Sequence, residues 1–198
     1  ISLICCMMIC CWMGLSARTY ASDTNAAFRA PLRLAAELAA EGDHAGAAIE
    51  FRRAAGDADT AQDRGGLYWA AAFEYWKAQN PSIAERMLDR AENEAPELAA
   101  PALLLRAEAA AAGRQWNEAA FYADSVLSSD AADDVRALAA RRLAAARLHQ
   151  SDIAAARLAL ERAPREHRLG LDALDQYARG RNKRPMLGGF LGMIPGLG

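Results

Sequence analysis

An alanine-anchored unit recurs four times in this 198-residue chain, at spacings of 37, 35 and 37 residues, and no other feature restricts the fold as much. The anchors are Ala47, Ala84, Ala119 and Ala156. The first unit reads Gly42-Asp43-His44-Ala45-Gly46-Ala47, then Phe51 and Ala54. The second reads Gln79-Asn80-Pro81-Ser82-Ile83-Ala84, then Leu88, Ala91 and Pro96. Another runs Ser151-Asp152-Ile153-Ala154-Ala155-Ala156, then Leu160 and Ala163. Gly113-Arg114-Gln115-Trp116-Asn117-Glu118-Ala119, with Ala123 and Val126, reads as a looser copy with one extra turn residue. A period of this length marks one supersecondary unit stacked on the next.

Each unit predicts a helix, a short turn and a second helix. Leu34, Ala35, Leu38 and Ala39 recur at helical spacing before Gly42, and Ala47, Phe51 and Ala54 do so after it. Gly42-Asp43 ends one helix and caps the next, and Pro81 falls where a helix begins and a missing N–H costs nothing. Pro96 and Pro164 close their units. Composition agrees: 49 residues are alanine and only nine are valine or isoleucine, too few β-branched side chains for a sheet. Alanine facing alanine lets antiparallel helices approach closely. The expected fold class is all-α, an α-solenoid of about four helix-turn-helix repeats plus a capping helix.

This pattern resembles the tetratricopeptide repeat, whose units are about 34 residues long. In that family small residues recur at positions eight, twenty and twenty-seven, with a large residue at twenty-four and often proline at thirty-two. Position eight falls on Ala35, Ala72, Ala107 and Ala144, and position twenty on the anchors. Position twenty-four falls on Phe51, Leu88, Ala123 and Leu160, and twenty-seven on Ala54, Ala91, Val126 and Ala163. Pro96 matches position thirty-two; the usual Trp at position four is replaced by Pro31, Tyr68, Leu103 and Ala140. The likeness implies a superhelix whose first helices line a concave groove that holds a protein or peptide partner.

The family's groove positions give Trp69, Phe73, Trp76 and Lys77 from the second unit, with Leu32, Leu104, Glu108, Arg141, Leu148 and His149 from its neighbours. On a wheel of about 100° per residue Trp69, Phe73 and Trp76 share one face. Tyr68 and Tyr75 lie on another, which can pack against neighbouring helices. The expected partner-binding residues are Trp69, Phe73, Trp76, Lys77, Glu108, Arg141 and Leu148: aromatic anchors, with charges for orientation. The competing expectation is that the rings pack beneath residues 22–30 or a C-terminal helix. Trp116 is expected in a turn, as a plug between helices.

The ends read differently. Residues 1–21 open with an uncharged run that holds all four cysteines, matching the apolar core of a signal peptide or an N-terminal anchor with its start missing. Residues 22–30 read as a linker, 31–164 as the repeat domain, and 165–182 as a capping helix with a basic linker, with Leu171, Leu174 and Ala178 on one face. Residues 183–198 resemble the entry to a Pro-Gly-x-Gly membrane hairpin, with Lys183, Pro185 and Pro195-Gly196-Leu197-Gly198, cut short. Arg179, Arg181, Lys183 and Arg184 conflict with export, because positive residues usually stay cytoplasmic.

Site chemistry is sparse. His44 is expected in a turn, His149 at a helix end and His167 near a helix start, all solvated and none with a metal-ligand partner at helical spacing. Asp57, Asp59 and Asp63 resemble a calcium loop, but Ala61 and Gln62 stand where a ligand and a glycine are required. Asp63 then serves a helix start, as do Asp133 and Asp134. A net charge of −2 argues against nucleic acid. The expected protein is a non-enzymatic scaffold with no cofactor, metal or small-molecule substrate. It would work in the bacterial periplasm, attached or apposed to the inner membrane through its C-terminal segment, in envelope assembly or secretion. The alternative is a regulatory repeat domain of a membrane enzyme whose catalytic part lies elsewhere.

Overall fold

The computed structural model describes residues 26–164 together with 171 and 174. The signal or anchor segment, residues 22–25, the remainder of 165–182 and the apolar 183–198 lie outside the described residues. The described chain is all-α, with eight α-helices. They are α1 (Ala26–Glu41), α2 (His44–Gly56), α3 (Ala61–Lys77), α4 (Pro81–Glu94), α5 (Ala99–Ala112), α6 (Trp116–Leu127), α7 (Asp133–His149) and α8 (Ile153–Glu161). A 3-10 turn, Pro96–Leu98, precedes α5. The chain divides after Pro96 into two compact units. In the first, α1 packs on α2, α2 on α3 and α3 on α4; in the second the order is α5, α6, α7, α8, with α5 also touching α7. The first helix begins at Ala26, ahead of the boundary drawn at residue 31.

Four helical hairpins share one turn geometry. Gly42, Gln79, Arg114 and Ser151 have φ of 88°, 61°, 58° and 62°. Each lies five residues before an anchor alanine. In every turn the positive-φ residue donates its N–H to the carbonyl three residues back, and the next residue donates to the carbonyl five back, at 2.8–3.2 Å. That is the paired closure by which a helix ends on a left-handed residue. The third turn is therefore no longer than the others: Gly113 is the helix cap at φ −77°, and Arg114 takes the left-handed place. Trp116 is accordingly the first residue of α6 rather than a turn residue.

The residue after each left-handed position caps the next helix. Asp43 accepts from Gly46 N and Asp152 from Ala155 N, each at 2.9 Å. Asn80 and Gln115 occupy the same place without a capping bond, and Pro81 begins α4 as expected. Thr60 starts α3 by accepting from Asp63 N at 3.0 Å, so Asp63 serves the helix start. Asp133 and Asp134 lie in the first turn of α7.

All sixteen alignment positions are buried, from 0% exposure at Ala35, Ala47, Ala54, Ala72, Ala91, Ala123, Val126 and Ala156 to 7% at Phe51. The largest wholly buried side chains, Leu88, Leu160 and Val126, are among them. Small residues where helices meet and one larger side chain per hairpin thus build both cores. In the second unit the core runs from Leu104 to Leu174, with Leu171 packed against it. These two described residues of the C-terminal stretch therefore take part in the second unit's core. Among the described residues no helix is long and apolar enough to cross a membrane.

Candidate functional site

The expected partner-binding residues fall in both units, and each group is described within its own. Helix α3 carries Trp69, Phe73, Trp76 and Lys77. The Trp69 and Phe73 rings lie 6.1 Å apart and almost parallel, at 5°. Phe73 and Trp76 follow at 6.0 Å and 46°. Lys77 Nζ sits 5.3 Å from the centre of the Phe73 ring, a cation–π contact. The three rings that the wheel puts on one face do lie together, but not as equals. Phe73 is buried at 6% exposure, whereas Trp69 and Trp76 are half-buried on either side of it. Trp69 Nε1 is buried and has no acceptor among the described residues. The tyrosines do face other helices: Tyr75 is buried, and Arg90 of α4 covers the Tyr68 ring at 5.6 Å.

Beside the strip lies a pair that sequence reasoning missed. Glu74, 3% exposed, receives a 2.7 Å hydrogen bond from Nδ1 of His44, the first residue of α2. Lys77 Nζ is 3.7 Å from the same carboxylate oxygen. A carboxylate only accepts, so the proton lies on Nδ1. Burying a carboxylate is costly unless it is paired, and His44 answers that cost. His44 is thus neither in a turn nor a free solvated residue. A carboxylate inside the run Phe73-Glu74-Tyr75-Trp76 was the available signal.

In the second unit Glu108, Arg141 and Leu148 do not form one cluster of equivalent side chains. Glu108 on α5 pairs with Arg142 of α7, which is buried at 8%. Arg141, the neighbour, is half-buried and makes a 3.3 Å hydrogen bond from Nε to the Ala137 carbonyl one turn back. Burial, and then the charge of Arg142, lower its pKa. Leu148 is half-buried and packs against the unit's core. His149 ends α7, as expected, with its ring stacked on Trp116 at 3.8 Å and 6°. Its pKa is lowered by partial burial and then by Arg114.

Among the described residues no three His, Cys, Asp or Glu side chains are placed to hold a metal ion. The arrangement offers half-open indoles with one cation in the first unit, and a half-buried guanidinium with apolar neighbours in the second. Both suit contact with a side chain of another polypeptide. Comparison with protein-family models, with curated proteins and with solved structures finds no match.

Proposed function

We propose that this chain is a tetratricopeptide-like scaffold that binds a protein or peptide partner on the exposed faces of its first helices, without enzymatic activity of its own. The observation that carries this reading is the α3 strip. Two tryptophans remain half-open around a buried phenylalanine, and large aromatic side chains concentrate binding energy at interfaces. The shared turn and the sixteen buried positions support the repeat assignment. The uncharged N-terminal run supports export, and the apolar C-terminal stretch supports apposition to a bacterial inner membrane, in envelope assembly or secretion; the basic cluster at 179–184 stands against export.

The test is affinity capture from the native envelope with the full chain, the Trp69→Ala/Trp76→Ala variant and a Phe121→Ser control on α6, where Phe121 is 67% exposed. The double variant should lose its partner while keeping its helicity, and the control should keep both. Equal recovery by the double variant and the parent would rule out the strip.

A further inference from the structure

We propose that the outer face of the second unit, formed by α6 and α8, is a self-association surface that pairs with the same face of a second copy of this chain. A register coincidence marks this face. Ile49, Arg86, Phe121 and Leu158 each stand two residues after an anchor alanine, on the second helix of a hairpin, and all four are exposed. Phe121 and Leu158, at 67% and 61%, are the most open large apolar side chains among the described residues. They belong to the third and fourth hairpins, inside one unit. Arg162 at the end of α8 bonds Asp124 and, at 3.3 Å, Ser128 of the α6 end, so the two helices lie side by side with their apolar side chains in register. The first unit has one such side chain, Ile49, and the cation Arg86 holds the equivalent place in its other hairpin.

The face is complementary to itself. A two-fold axis through it reverses helix direction and sets α6 of one copy against α8 of the other, so each Phe121 meets the opposite Leu158. Residues before Phe121 then face residues after Leu158. At ~1.5 Å per residue, Glu118 lies about 4.5 Å before Phe121 and Arg162 about 6 Å after Leu158. Glu118 is exposed and has no ion pair among the described residues; Arg162 is exposed beside Asp124. An acid and a base are thus brought opposite each other twice. Each copy supplies both halves of the match, in apolar side chains and in charge, and this selects a second copy as the occupant. The Phe121 ring already stands edge-on to Tyr122, at 5.6 Å and 65°, so less freedom is lost on contact. Two adjacent helices ~10 Å across, one about 18 Å long, present roughly 400 Å² per copy. The total of ~800 Å² falls short of the ~1,200–2,000 Å² of stable interfaces, so the dimer is transient, with a dissociation constant of about 100 µM.

The experiment uses the full chain and two readouts. Sedimentation velocity over a hundredfold concentration range compares the parent with Phe121→Ser, Leu158→Ser, Glu118→Arg and Ile49→Ser. The parent should show a reversible monomer–dimer equilibrium. Association should weaken at least tenfold in Phe121→Ser and in Leu158→Ser, about threefold in Glu118→Arg, and not at all in Ile49→Ser, with helicity unchanged throughout. In the second readout p-benzoylphenylalanine replaces Phe121, and chains in 14N and 15N are mixed and irradiated. Crosslinked peptides of mixed isotope should join position 121 of one copy to residues 153–162 of another. A monomer at every concentration, or association undiminished in both serine variants, would overturn the proposal. So would a loss in Ile49→Ser as large as in Phe121→Ser, or mixed-isotope crosslinks from position 121 only to other segments. Association through the apolar ends of the chain would survive both serine variants and is thereby told apart.

Discussion

Replacing His44 with leucine should destabilise the first unit by about 3 kcal/mol, at the low end of the ~3–5 kcal/mol seen when a buried ion pair loses one member. The low end applies because His44 retains 25% side-chain exposure and Lys77 remains near Glu74 at 3.7 Å. The cost lies in the carboxylate left behind, which is 3% exposed and no longer hydrogen-bonded by the ring. Glu74→Met with His44 retained should therefore cost less than about 1 kcal/mol, since the partly exposed imidazole can turn to water. The double variant should return to within about 1 kcal/mol of the parent, because an apolar pair often replaces a buried ionic one without loss. The coupling energy is then about 3 kcal/mol. Hydrogen exchange at the amides of Phe51 and Ala71, near the middle of α2 and α3, reads this locally. About 3 kcal/mol corresponds to a ~100-fold rise in the open population. A Glu74→Met variant as unstable as His44→Leu would refute the reasoning, since it would make the pair itself, not the stranded charge, the source of the effect.

The shared turn makes a second prediction: Gln79→Gly and Ser151→Gly should each stabilise by about 0.5–1 kcal/mol, because glycine relieves the left-handed conformation, and Gly42→Ala should cost about 1 kcal/mol. Urea midpoints at constant slope decide this, and destabilisation by both glycine variants would contradict it. His149 makes the third. Its folded pKa is lowered below the ordinary 6.5, so the unfolded chain binds the proton more tightly. Its contribution is complete above pH 6.5 and is lost as pH falls from there through the lowered folded value. His149→Gln should flatten that slope in thermal melts, and Arg114→Gly should raise the His149 titration midpoint by removing the secondary cause. A midpoint above 6.5 in the parent would sink the argument.

Most of the fold was legible because alanine is informative where it repeats. Sixteen aligned positions proved buried, and the 37, 35 and 37 spacings reappear unchanged between the left-handed turn residues. The misreading of the third turn has a specific cause. Glycine is the usual left-handed residue, so matching by residue type pairs Gly113 with Gly42 and adds a residue that the turn does not have. Counting five back from Ala119 finds Arg114 instead. Arginine tolerates the conformation at a cost of about 1–2 kcal/mol, which the packing of α5 on α6 outweighs. Trp116 moved from turn to helix start through the same shift.

The candidate site was legible only as far as one helix extends. Periodicity put Trp69, Phe73 and Trp76 on one face, but burial of Phe73 between its neighbours depends on what packs against α3. His44 and Glu74 lie 30 residues apart, beyond any helical-spacing rule. The repeat register was the missing tool. His44 and Trp116 are both first residues of a second helix, three before the anchor alanine. Both reach the last turn of the next hairpin's first helix, His44 at Glu74 and Trp116 at His149. One contact is a hydrogen bond to a buried acid, and the other is a ring stack. In stacked repeats stability is roughly a sum of unit and neighbour terms, so each contact adds directly to the coupling between consecutive hairpins. Pro81 and Ile153 hold the same place in the second and fourth hairpins, where neither can make a hydrogen bond or a stack. The polar and aromatic versions therefore each stand inside one unit, from first hairpin to second and from third to fourth.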